Sequence, residues 1–207
     1  MQTPTQHLLS LIAAACLATA CAGAGARPAP VEVADASGFT ITETVRANGA
    51  ARGEFESARQ ALEQKDYPRA IEQLGAVTKA APDATAAWVN LGIAYRESND
   101  LENAEKSLTR ALALNARHPV ALNELGIVYR RTGRFAQARK SYEQVLALYP
   151  SFHFARRNLA ILCDLYLGDA ACALQHYEAY VRAAPEDPEA GKWIADLRNR
   201  NARKEAP

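Results

Sequence analysis

Four cysteines and four histidines are the side chains of this 207-residue sequence whose types could do chemistry. Cys163 and Cys172 stand nine residues apart, and in an oxidising compartment such a pair either bonds or remains as two buried thiols filling space. A bond would contribute about 2–4 kcal/mol. His153 and His176 fall nearby, but neither stands roughly two to four residues from either cysteine, as a zinc site requires, so no metal is expected. No nucleophile-base-acid set, glycine-rich phosphate loop or HExxH run occurs. Acidic pairs such as Glu102 and Glu105 read as solvated helix faces. These observations predict a chain that is not an enzyme and needs no cofactor.

What positions those residues is a repeat. The stretch from Trp88 slides onto the stretch ending at Pro150 with an offset of 34 residues, so that Leu91, Gly92, Tyr95, Ala104 and Ala113 meet Leu125, Gly126, Tyr129, Ala138 and Ala147. Each unit is broken once, at Ser98-Asn99-Asp100 and at Thr132-Gly133-Arg134, and therefore reads as two short helices joined by a turn. Gly92 and Gly126 mark the closest approach of the paired helices, answered by Ala104 and Ala138, because a larger side chain would hold the backbones apart. Tyr95 and Tyr129 fill the space beside the crossing. Ala111 and Val145 face the next pair, so no unit buries its apolar surface alone.

The pattern resembles the tetratricopeptide repeat (TPR) family, whose signature is a W-x2-L-G-x2-Y helix, an alanine opening the second helix and a closing proline. The matching residues are Trp88, Leu91, Gly92, Tyr95, Ala104, Leu108 and Ala111, then Leu122, Leu125, Gly126, Tyr129, Ala138, Tyr142, Val145 and Pro150. The resemblance implies an all-α, TPR-type α-solenoid of about four helix-turn-helix repeats that binds proteins. By the same offset the repeats run over 51–84, 85–118, 119–152 and 153–185, with Ala58, Ala61, Ala70, Leu74, Val77 and Pro82 forming the first copy. The fourth carries one extra residue in its turn, which places Cys163 and Cys172 on opposite helices of that hairpin. Residues 186–207 read as a capping helix with Asp187 as N-cap, Pro188 at the first helical position, and Trp193, Ile194 and Leu197 on one face. Lys192, Arg198 and Arg200 point away, and the chain frays after Asn199.

In the resembled family, stacked first helices line a concave groove that grips a peptide or helix. Helical spacing assigns Asn90, Ile93 and Arg96, then Asn123, Ile127 and Arg130, then Arg157, Asn158 and Ile161 to that face. Asparagine amides pair with an extended backbone and arginines fork onto carboxylates, so the groove suits a peptide with apolar anchors and some acid. The alternative reading is a merely solvated face.

Leu8 to Leu17 is an apolar run of signal-peptide length, too short for the roughly 20 residues of a membrane span. Ala18-Thr19-Ala20-Cys21 after it is similar to the lipobox of bacterial lipoproteins, although no Lys or Arg precedes the run and alanine stands where leucine is usual. That resemblance implies a signal over 1–20, lipidation of Cys21 with Cys16 as a rival, and a flexible tether over 21–50. An ordinary cleaved signal is the other reading. Ala22 in place of aspartate implies the periplasmic face of the outer membrane, the alternative being a soluble periplasmic protein. Val31 to Asn48 is expected to be extended without a sheet, either as a linker or as a partner-binding tail. A formal charge of +1 gives no drive toward nucleic acid. The functional expectation is a scaffold of the bacterial envelope supporting pilus, secretion or motility assemblies, or else a periplasmic adaptor recruiting peptidoglycan or polysaccharide enzymes.

Overall fold

The computed structural model describes Glu32–Val33, Ile41–Thr42 and residues 49–205. Leu8 to Leu17, Cys16, Cys21 and most of the tether lie outside them. Strands β1 (Glu32–Val33) and β2 (Ile41–Thr42) pair antiparallel, Val33 opposite Ile41, where the sequence predicts no sheet.

Nine helices follow among the described residues. They are α1 (Gly49–Glu63), α2 (Tyr67–Ala80), α3 (Thr85–Glu97), α4 (Leu101–Leu114), α5 (Pro119–Arg131), α6 (Phe135–Leu148), α7 (His153–Leu162), α8 (Ala170–Ala183) and α9 (Ala190–Glu205). Each first helix packs on its second, each second helix on the next first, and α3, α5 and α7 touch in series. This is an α-solenoid closed by a C-terminal cap. Its core is a chain of apolar clusters and not one centre: Leu91 joins Phe55, Leu74 and Val77, whereas Val89 of the same helix joins Leu108, Leu125 and Val128.

The turns explain the period. Lys65, Asn99, Gly133 and Gly168 all take a left-handed conformation, with φ of 60°, 69°, 76° and 64°. The next residue opens the second helix, and Asp66, Asp100 and Asp169 each accept a backbone N–H three residues on. In the third repeat Arg134 stands there instead, and its guanidinium forks onto Glu105 of α4 at 2.8 and 2.6 Å. The spacing of 34 lengthens to 35 only before Gly168. The extra residue is absorbed by a π-helical turn over Cys163–Leu167, which bulges the end of α7 outward.

Between repeats a proline carbonyl is held from the following helix. Trp88 Nε1 donates to Pro82 O at 3.0 Å, and two repeats later Arg156 Nη2 donates to Pro150 O at 2.7 Å, the same bond made by a different side chain. His118 is buried and caps α5 through Nδ1, which accepts from Ala121 N.

The cap departs from expectation in three ways. Asp187 holds a turn, accepting from Glu189 N and from the Tyr180 hydroxyl, and α9 begins only at Ala190. Arg198 and Arg200 reach back to Glu178 and Asp164 at 2.7 and 2.8 Å instead of pointing away. These anchors carry the helix past Asn199 to Glu205.

Candidate functional site: a cavity on the stacked first helices

The first helices of the second, third and fourth repeats enclose a cavity of about 580 Å3. On α5 its lining residues are Val120, Asn123, Glu124, Ile127 and Arg130, one helical stripe; on α7 they are Phe154, Arg157, Asn158 and Ile161. Arg96 and Glu97 close one end and Trp193 of α9 the other. Of the residues assigned from spacing, Asn90 and Ile93 are the exceptions. Asn90 turns its amide onto Ala86 O of its own helix at 2.8 Å, and Ile93 packs with Val89 and Leu125.

The asparagines spend part of their hydrogen-bonding capacity within the protein. Asn158 Nδ2 donates to Asn123 Oδ1 at 2.9 Å, Asn123 Nδ2 donates to Glu124 Oε1 at 3.4 Å, and both amides are buried. Glu124 in turn accepts from Arg96 Nε at 2.5 Å, and Arg96 Nη2 reaches Glu97 at 2.9 Å. One polar chain thus ties three repeats together under the cavity. Glu124 was not among the residues assigned from spacing, although it stands 34 residues after Asn90 and 34 before Asn158. Burial raises the Glu124 pKa more than Arg96 lowers it. For Arg96, burial works downward, but the Glu124 and Glu97 carboxylates outweigh it and the pKa is raised.

Arg130 and Arg157 are different. Arg130 lies over the Tyr166 ring at 5.6 Å and Arg157 over the Tyr180 ring at 5.9 Å. Among the described residues no carboxylate pairs with either within 4.0 Å, and the buried Nε of each has no acceptor. With Arg96 held between two glutamates, the three arginines and two glutamates of the lining leave one net positive charge above Ile127 and Ile161.

Cys163 and Cys172 are bonded, with Cα atoms 5.9 Å apart. The bond ties the π turn to the first turn of α8, and Arg139 Nη2 lies 3.4 and 3.6 Å from the two sulfurs and 3.1 Å from Asp169. Asp169 joins the cysteines in the one cluster of possible metal ligands among the described residues, but the sulfurs hold each other and neither His153 nor His176 takes part.

Two family models, each described as tetratricopeptide repeat, match residues 83–151 and 123–188, together just over half of the chain. The chain belongs to the tetratricopeptide repeat family. Its repeat fold is a non-enzymatic scaffold for protein interaction. It is similar to TTC0263, a thermophilic TPR protein of Thermus thermophilus, at 25% identity over 71% of this chain and 80% of that one, with a TM-score of 0.63. At the level of fold it is similar to Pseudomonas aeruginosa pilF (20% identity, 74% of this chain, 70% of that one, TM-score 0.68). It is also similar to the first TPR of Spaghetti (RPAP3) bound to the HSP90 peptide SRMEEVD (24% identity, 58% of this chain, 97% of that one, TM-score 0.54). No curated protein matches the sequence. No helix among the described residues is long and apolar enough to cross a membrane.

Proposed function

We propose that this TPR protein is an adaptor of the bacterial cell envelope that holds a partner polypeptide in the cavity of its first helices and supports assembly of a pilus, secretion or motility complex. The observation that carries the reading is the pair Arg130 and Arg157 above an apolar floor, with no carboxylate among the described residues within 4.0 Å of either. Both guanidiniums are partly exposed and keep donors that an anionic group of a partner can take up. Support for peptide capture comes from a structural relative whose TPR binds a peptide, and the likeness to pilF favours the assembly role.

A photo-cross-linker placed at Ile127 in living cells should trap that partner, identified by mass spectrometry. Arg130→Gln with Arg157→Gln is expected to lower the yield about tenfold or more, since each charged hydrogen bond is worth about 1.5–3 kcal/mol. Asn123→Ala is a poor probe, because it would break the buried chain that joins the repeats. Undiminished cross-linking in the double variant would sink the assignment.

The protein acts at the periplasmic face of the outer membrane, tethered through lipid on Cys21. The apolar run before that cysteine supports this, as does a disulfide, which suits an oxidising compartment. Palmitate labelling should be lost in Cys21→Ser and kept in Cys16→Ser; label retained by the first variant would refute the anchor.

A further inference from the structure

Beyond the cavity on the first helices, a second cavity of about 670 Å3 opens between the π turn and α9. Its apolar walls are Ile161, Leu165, Tyr177 and Trp193. Its charged groups are already satisfied: Arg200 holds Asp164 at 2.8 and 2.9 Å and Asp196 at 2.8 Å, while Lys192 holds Glu189 at 2.7 Å. It therefore offers contact to apolar groups and no net charge to an ion. Ile161 and Trp193 line both cavities, which makes them two parts of one trough. At its outer edge Leu165 is 64% exposed, with Tyr166 and Leu167 beside it, and these are the exposed large hydrophobics among the described residues.

Resting on the adaptor reading, we infer that the trough takes a short acidic-apolar segment of another polypeptide, its carboxylate on Arg157 and its large aliphatic or aromatic side chains between Leu165 and Trp193. The geometry sets the spacing. Arg157 and Leu165 stand eight residues apart along α7 and the π turn, about 12 Å. Three to four residues of an extended chain cover that rise, so the acidic residue and the apolar anchor at Leu165 are separated by about three or four positions. Charge selects the first part of the trough: among the described residues no carboxylate lies within 4.0 Å of Arg157, and its buried Nε has no acceptor. Desolvated apolar area selects the second. This chain builds the second part from its own π turn and cap.

The test uses a displayed random-peptide library on the immobilised full-length protein, followed by dissociation constants for the enriched peptides. Enriched sequences should combine an acidic residue with large apolar ones. Arg157→Gln should weaken them about tenfold and erase the preference for acid over its amide, whereas Leu165→Ser should weaken them to a similar degree and erase the preference for a large apolar residue over alanine. In a Trp88→Phe background, Trp193 is the only indole, and its emission should shift as peptide is added. Neutral consensus sequences, indifference to both substitutions, a static Trp193 emission, or no enrichment at all would each overturn the inference. So would self-association that is lost in Leu165→Ser, which would assign the exposed edge to a second copy. The cross-linking experiment at Ile127 reads the adaptor role separately, so a trapped partner with no such peptide preference refutes the trough alone.

Discussion

Arg96→Met is expected to lower the stability of the solenoid by about 3–5 kcal/mol at neutral pH, the usual cost of removing one partner from a buried ion pair. The loss is large because Glu124 has nowhere to turn: its side chain is 11% exposed, and its other contact in the cavity is the Asn123 amide at 3.4 Å. Methionine fills much of the volume of the arginine stem, so lost packing is a small part of the effect. Replacing both partners, as Arg96→Met with Glu124→Leu, should recover most of the stability, since the double change leaves no buried charge behind. Urea unfolding of the two variants checks this. Hydrogen exchange should place the loss on α3, α5 and α7, the helices the polar chain connects, because coupling in a solenoid runs through neighbours.

The pH dependence fixes which partner is at fault. The folded-state pKa of Glu124 is raised above its ordinary value, with burial as the main cause. A carboxylate whose pKa is raised by folding binds its proton more tightly in the native state. Its ionised form therefore penalises the fold fully above the folded pKa, and the penalty fades as pH falls through that value toward the unfolded one. Without Arg96 the penalty grows. The difference between Arg96→Met and the parent should thus shrink when unfolding is measured roughly two pH units lower. Asp169 and Asp187 act in the opposite sense, their pKa values being lowered, by the Cys172 N–H and by the Tyr180 hydroxyl respectively. Their stabilisation is lost on acidification, but it is common to both proteins and cancels in the difference. A gap that stays constant with pH would show that Glu124 is not the group left exposed to the loss.

The 34-residue offset carried the solenoid in plain view, because every crossing needs a small residue, and every turn a left-handed one, at the same place in the repeat. Lys65, Asn99 and Gly133 keep that offset, and the one-residue excess before Gly168 was visible as well. That the excess forms a π turn was not visible, since an insertion of one residue fits equally well as a longer loop. The cavity was legible as a stripe, but not the polar chain that joins its asparagines to Glu124. Asn123 and Asn158 carry amides suited to a peptide backbone, but whether an amide is available depends on how far α5 stands from α7, and sequence holds no such distance. The same limit applies to Arg198 and Arg200, whose long side chains fold back onto α8 and the π turn. Glu124 could have been found: the register that equates Asn90 with Asn158 puts an acid midway between them, in a row of polar residues below the surface.

Gly126→Leu is expected to cost about 3 kcal/mol or more, at the upper end of what overpacking a core imposes. A Cβ at Gly126 would fall against the Tyr142 ring, with Cδ1 at 2.8 Å and Cζ at 2.9 Å, and that ring is fully buried. Better helix propensity returns only about 1 kcal/mol, so the clash wins. Gly75 provides the control. It also lies within a helix, yet nothing stands within 4 Å of its would-be Cβ, and Gly75→Ala should raise stability by up to about 1 kcal/mol. One repeat earlier a Cβ at Gly92 would fall 2.6 Å from Leu108 Cγ, so glycine at the same position faces two different partners, and what the period preserves is closeness of backbones and not a particular contact. If steric conflict with Tyr142 is the cause, Tyr142→Ala, itself costing about 3–5 kcal/mol, should open room for the new leucine. The combined variant must then lose clearly less than the two single losses added together. Simple additivity in urea unfolding would mean that Gly126 is needed for some reason other than the approach of α5 to α6.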